Sequence, residues 1–363
     1  MPISAIEAIS PAIEHTRKQL LLPFRFGQWM RLAFVGLLAG ELSSGGCNIP
    51  TSLPRGGHGS AGQLPGWGNF DPALFVGLIA IIVVSAFVLS IVFMYISSVM
   101  RFILFDSILA KECHIRDGWN ARQGPGWRLF VFKILYALIT LAIFFVLIGV
   151  PLVFAFAMGL FKNPKDHIAI FVLAGIALFF ILFLFFIATS VIYVLTKDFV
   201  VPQMALENLT AMQAWRRLWA MMKTEKTSYI GYIGMKILLA IGAGIILGIA
   251  GIIVGLIILL PAAGVIIGAI FAGKAAGLGW TAGTITLLIV AGSALLAFFL
   301  FVNSLISVPA IVFFPAYAIY FFAGRYPALN AVLYPQPPAP QLPLISPPAY
   351  QPPSLPPEPE PIG

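Results

Sequence analysis

Apolar runs of hydrocarbon length recur along this chain, and a backbone in lipid must satisfy its own hydrogen bonds, so each run is restricted to a helix. Six stretches qualify: 29–47, 73–100, 129–158, 168–195, 236–260 and 284–306. The predicted fold is all-α: a polytopic transmembrane helix bundle of about six spans within a single membrane domain, 1–333, followed by a tail, 334–363. The first stretch is the weakest. Its apolar part runs only from Trp29 to Leu42 and carries Glu41 at its far end, so crossing requires Phe24 to Phe26 or local thinning of the bilayer. The third and fourth stretches are separated by the short polar turn 162–167 and form a helical hairpin. Between Pro261 and the sixth stretch, 262–283 is glycine-rich and contains Lys274. Its uninterrupted apolar run is too short to cross, which predicts a re-entrant or interfacial segment, with a seventh span as the alternative.

Composition agrees: 60% of residues are hydrophobic and 9% charged, and no stretch remains that would build a separate soluble core. The formal charge of +8 is placed for a membrane rather than for nucleic acid. Of the 21 Lys and Arg residues, all but Arg55, Lys162, Lys165 and Lys274 fall in one set of alternate loops, which the positive-inside rule makes cytoplasmic. Both termini are then cytoplasmic. Trp29, Trp119, Trp127, Trp215 and Trp219 lie on that same side, with Trp67 and Trp280 opposite. No cleavable signal peptide is evident, so the first span serves as an uncleaved anchor. Cys47 and Cys113 fall on opposite faces, which argues against an intramolecular disulfide.

Each pair of spans is preceded by a polar, tryptophan-containing segment: 4–29, 101–127 and 197–226. The exits Arg101-Phe102, Lys197-Asp198-Phe199 and Val312-Phe313-Phe314 occupy comparable positions, giving a threefold pattern of surface helix and hairpin. In the third unit, Thr210-Ala211-Met212-Gln213 has the form of a capping box. From it a helix extends to Met222, with Met212, Trp215, Trp219 and Met222 at spacings of three and four, and with Arg216 and Arg217 largely elsewhere. This predicts an amphipathic helix at the lipid interface, with packing against the membrane domain as the alternative. Gly244, Gly248, Gly251 and Gly255 share one face of the fifth span and predict close helix packing.

Residues 45–72 are dense in Gly and Pro and read as an extracytoplasmic loop; Arg55 to Gly59 lacks the flanking strand, helix and Lys-Ser/Thr of a phosphate cradle. The tail is rich in proline and reads as a disordered polyproline II spacer. Pro340 to Pro343 and Pro353 to Pro356 have the spacing that a protein partner's proline-binding groove reads.

Chemistry is poorly represented. The spans hold few ionisable residues; Lys133 and Lys236 are close enough to the inner boundary to snorkel, and none forms a proton relay. Glu112-Cys113-His114 reads as a solvated turn rather than a metal site, and no zinc-protease motif or serine nucleophile elbow occurs. No catalytic residue, cofactor or metal ligand is predicted, and the chain reads as no enzyme.

The segment Asp198-Phe199-Val200-Val201-Pro202, continuing through Glu207 to Trp215-Arg216-Arg217, resembles a signature of the membrane domains associated with bacterial glycerophosphoryl diester phosphodiesterases and their uncharacterised relatives. The opening Ala12 to Arg17 with Trp29, the Arg101-Phe102 exit with Asp106, and Tyr320 to Arg325 agree in architecture. The resemblance implies a six-helix domain of unknown function in the bacterial inner membrane. The enzymes add a soluble catalytic barrel, whereas only the tail follows the last span here. These readings together predict a non-enzymatic integral membrane protein that contacts membrane lipid or a partner through its cytoplasmic amphipathic helices. A small transporter built on 244–283 and an accessory subunit of an envelope complex are the alternatives.

Overall fold

Helix is the regular structure of the described residues, 3–41, 72–161, 167–275 and 282–335 of a computed structural model, and no strand occurs among them. Helices α1 (Ile9–Leu20) and α2 (Phe26–Ala39) precede three long helices, α3 (Pro72–Ala110), α4 (Ile115–Ala157) and α5 (Ile168–Leu195). A π-turn over Thr196–Val200 leads into α6 (Val201–Glu207) and α7 (Ala211–Thr224). The chain closes with α8 (Lys226–Ala275), α9 (Ala282–Ala323) and α10 (Pro327–Leu333). Five of these, α3, α4, α5, α8 and α9, are long and apolar enough to cross a membrane. The loop 45–71, the turn 162–166, Trp280 and the tail from 336 lie outside the described residues.

Two expectations are corrected. Of the first stretch, 29–47, residues 42–47 lie outside the described residues; 29–39 belong to α2, whose 14 residues, Phe26–Ala39, rise about 21 Å, short of the roughly 30 Å of a hydrocarbon core. Gly40, at a φ of 77°, ends it in the left-handed conformation that glycine adopts without penalty. Its start lies beside the end of α3, where Gln28 donates to the Lys111 carbonyl at 2.5 Å and Arg31 to that of Cys113 at 3.3 Å. Its end lies beside Ser97 and Arg101. Glu41 is therefore level with Arg101, on the α4 side of the second span, and not at the opposite end of that span as expected. The second correction concerns Pro261, which lies inside α8 rather than ending it. Helix continues to Ala275, so 262–275 is neither a re-entrant nor a separate crossing segment.

The long helices meet at one end. From 131 to 161 and from 167 to 194 no residue is buried against protein, and Phe145, Phe156, Leu173, Phe179 and Leu184 all face outward. Helices apolar around their whole circumference are suited to lipid. The packed core instead gathers the C-terminal parts of α3 and α9 and the π-turn after α5, with Phe102, Phe199, Val308, Phe321 and Phe322 among its buried residues. We call this the compact end. Described residues near both ends of the chain belong to it, since Arg325 donates to the Ile3 carbonyl at 3.0 Å.

Backbone groups left open by the sequence are closed here by side chains. Pro309 has no N–H to offer the carbonyl of Leu305, and the Trp29 indole donates to that oxygen at 2.9 Å. Arg122 donates to the Ala205 carbonyl at 2.8 Å and Arg128 to that of Asn208 at 2.8 Å. Both cations serve the C-terminal end of α6, the end a helix dipole makes negative. His15 joins α1 to two other helices. Its Nε2 is 3.0 Å from the Ile108 carbonyl, which only accepts, so Nε2 carries the proton and Nδ1 accepts from the Tyr320 hydroxyl at 3.1 Å.

Among the stripe glycines of α8, a Cβ on Gly251 would meet Asn303 Oδ1 at 3.1 Å and one on Gly255 would meet Phe299 at 3.4 Å, whereas one on Gly248 meets nothing within 4 Å. Gly244 is half-buried. Tighter helix contacts lie elsewhere: a Cβ on Gly36 of α2 would lie 2.6 Å from both Ile311 Cδ1 and Cγ2, and one on Gly126 of α4 would lie 2.6 Å from Val99 Cγ2 and 3.2 Å from its Cα. Gly126→Ala should therefore cost about 1–3 kcal/mol as an overpacked contact. Gly248→Ala should leave the detergent-solubilised protein as stable as before or slightly more so, because alanine favours helix. Thermal unfolding of both variants checks this.

Burial, reinforced by the nearby charge of Lys111, lowers the His15 pKa below its ordinary value of 6.5. A base whose folded pKa is depressed contributes stability that is complete above the unfolded value and is lost as pH falls toward the folded one. Unfolding midpoints should fall as pH drops below about 6.5, and His15→Gln should flatten that part of the profile.

Candidate functional site

The strongest chemical feature of the molecule is a group of buried charges at the centre of the compact end. Glu41, just after α2, pairs with Lys197 of the π-turn, and Arg101 of α3 lies 4.0 Å from the same carboxylate. Asp198 pairs with Lys236 of α8 and accepts from the Tyr232 hydroxyl at 2.9 Å. All five charged residues are at most 9% exposed. Successive residues on a helical turn point in different directions, so Lys197 and Asp198 engage partners on different helices. Arg101 also donates to the Ala39 carbonyl at 2.6 Å and to the Tyr193 hydroxyl at 3.1 Å. Its charge thus closes the C-terminal end of α2, whose last carbonyls have no partner within the helix. Phe199, Tyr232, Tyr317 and Phe321 stack over the Asp198 side of the group.

Two spaces adjoin these charges, and a third lies beyond Tyr136 and Tyr193. A cavity of about 30 Å³ lies among Glu41, Arg101, Lys197 and Asp198, enough for one water molecule. A second, of about 20 Å³, is lined by Arg101, Lys133, Tyr136, Tyr193 and Lys197. Tyr136 and Tyr193 also line the third, an open crevice of about 850 Å³ between α4 and α5. Its walls carry Thr140, Thr189 and Ser190 near those tyrosines, and Phe144, Phe185 and Phe186 further along.

The sequence-predicted residues of α7 divide between two faces. The capping box forms, with Gln213 N donating to Thr210 Oγ1 and the Gln213 side chain accepting from Thr210 N. Ala211, Ala214 and Leu218 are buried beneath the helix. Trp215 turns the same way, donating to Thr196 Oγ1 at 3.2 Å, and Met222 is partly buried. Met212, Arg216 and Trp219 are exposed. Arg217 is taken up by the fold, pairing with Glu207 at 2.5 Å and lying over the Tyr326 ring. The stripe read from spacing thus points partly inward, and the face left to solvent or lipid is narrower. In Glu112-Cys113-His114, expected as a solvated turn, Cys113 is buried while Glu112 pairs with Arg25 at 3.5 Å.

Sequence reasoning missed the ionic group because it judged each member separately, as the rim of its own span. The signal was present in the threefold pattern, since Arg101 and Lys197 open comparable exits and each precedes a phenylalanine that becomes fully buried.

A family model described as a family of unknown function (DUF7544) matches residues 3–332. Nothing in that match links the chain to glycerophosphoryl diester phosphodiesterases. No curated protein and no solved structure matches.

Glu41→Gln would leave Lys197 and Arg101 buried with an unmatched charge and should cost about 3–5 kcal/mol of stability in detergent. Removing both partners, in Glu41→Leu with Lys197→Met, should cost less than the single change. Chemical unfolding of both proteins measures the difference.

Proposed function

From the premise that the chain belongs to this family of unknown function, DUF7544, we propose that it is a non-enzymatic multi-pass protein of the cell membrane that engages anionic lipid through the basic helices of its compact end. The observation that carries this reading is the outer face of α7. Trp219 is 56% exposed and Met212 53%, beside the exposed Arg216 and Lys223, and the Lys223 ammonium lies 6.0 Å from the Trp219 ring centroid. Indole rings favour the headgroup level, and cations beside them are attracted to anionic headgroups. The buried underside of α7 fixes this face in place.

The elbow between α1 and α2 supports the same reading. Leu21, Leu22, Phe24 and Phe26 are all more than half exposed, among the exposed cations Arg17, Lys18 and Arg25. A groove of about 470 Å³ beneath it is lined by Leu20, Leu21, Ile246 and Phe313 together with Arg17. In this reading the compact end faces the cytoplasm, where the excess of Lys and Arg belongs, and it contacts the inner leaflet. The bacterial inner membrane is the setting proposed.

In nanodiscs containing anionic lipid, the fluorescence assigned to Trp219 by difference from Trp219→Phe should be quenched by a headgroup-level spin label and little by aqueous acrylamide. Quenching by acrylamide alone would remove α7 from the membrane and refute the reading.

A further inference from the structure

The ionic group carries more positive than negative charge. Arg101, Lys197 and Lys236 face two carboxylates, Glu41 and Asp198, so the paired residues alone leave one cation in excess. Lys133 lines the small cavity beside Arg101 and Lys197 and forms no hydrogen bond or ion pair among the described residues, so an anion placed there would hold its amine as an ammonium. Arg101 Nε is buried with no acceptor. Buried charges without partners are expensive, and a surplus of one sign is the arrangement expected around a ligand of the other.

The space in front of this surplus is graded. The crevice between α4 and α5 begins at Tyr136 and Tyr193, which separate it from the cavity holding Lys133 and Arg101. One turn further from the compact end its lining is Thr140, Thr189 and Ser190, and beyond them Phe144 and Phe185. Cation, hydroxyl and aromatic hydrocarbon thus follow one another along the helices. The volume of about 850 Å³ falls in the range of ligand pockets. The surrounding faces of α4 and α5 are apolar and unburied, so an occupant enters from the bilayer.

We propose that this crevice binds an anionic glycerophospholipid, with its phosphate directed at Lys133 and Arg101 past the two tyrosines and an acyl chain along Phe144 and Phe185. The proposal rests on reading α4 and α5 as lipid-embedded and is independent of the face presented by α7.

The test uses the full-length protein in detergent and native mass spectrometry with phosphatidylglycerol and phosphatidylcholine of identical acyl chains. The native protein should retain phosphatidylglycerol preferentially. Lys133→Gln should weaken that retention by roughly tenfold, the loss of one charge-assisted contact, while leaving phosphatidylcholine unchanged, and Lys133→Arg should restore it. Ala137→Phe, a change at an exposed position of the crevice wall, should reduce phosphatidylglycerol retention without touching the charges, which covers the case in which Lys133→Gln does not fold. Equal retention of both lipids by the native protein, or native-like retention by Ala137→Phe, would overturn the proposal. So would displacement of the lipid by equimolar inorganic phosphate, which would identify a soluble anion as the ligand. Loss of lipid selectivity in these variants with Trp219 quenching intact, or the reverse, separates this site from the α7 contact.

Discussion

The pairing of Glu41 with Lys197, flanked by Arg101, is the contact on which the arrangement of the other elements depends. It ties the end of α2, the second-span exit and the fourth-span exit to one point, and Asp198 extends the tie to α8. Taking five charges out of water is unfavourable unless each finds a counter-charge or dipole. That requirement makes the position of each element conditional on the others. Apolar packing alone sets no such condition here, because lipid is as good a solvent as protein for the outer faces of α4 and α5.

A second layer of specificity comes from side chains that close backbone groups on other helices. Trp29 reaches the carbonyl freed by Pro309, Ser304 donates to the Ala33 carbonyl at 2.7 Å, and Tyr317 donates to that of Ala5 at 3.0 Å. These bonds join α2 and the segment before α1 to α9 across about 270 to 310 positions in sequence. Each is directional, so it fixes rotation and register as well as proximity. Tryptophan serves two of the three expected exits by donating to the exit helix, Trp29 at Leu305 and Trp215 at Thr196. At the other, Trp119 and Trp127 pack edge-on against Tyr95.

What was legible in the sequence is what local physics decides. Long apolar runs gave the helices α3, α4, α5, α8 and α9 because hydrocarbon length and backbone satisfaction act within one segment. The capping box at Thr210 and Gln213 is likewise a matter of four adjacent residues. Pro261 misled because a proline inside lipid-facing helix need not end it: α8 carries on, and 262–275 never reverses. Glu41 misled for a different reason. Its environment depends on Lys197, 156 positions away, and no periodicity within α2 reports that distance.

The same non-locality bears on what the compact end does with its charge. A cation excess on a protein surface is diluted by water and salt, so Arg216 and Lys223 on α7 contribute attraction without selectivity. The excess around Lys133 and Arg101 is enclosed by aromatic rings and helix backbone, where an anion that fits replaces a missing partner. In the proposed reading, surface and interior cations divide two tasks that a single amphipathic helix cannot perform together: holding the protein against a charged leaflet, and distinguishing one headgroup from another. The crevice would suit the second task because its hydroxyl band lies between the buried cations and the hydrocarbon, the order in which a phospholipid presents its own groups.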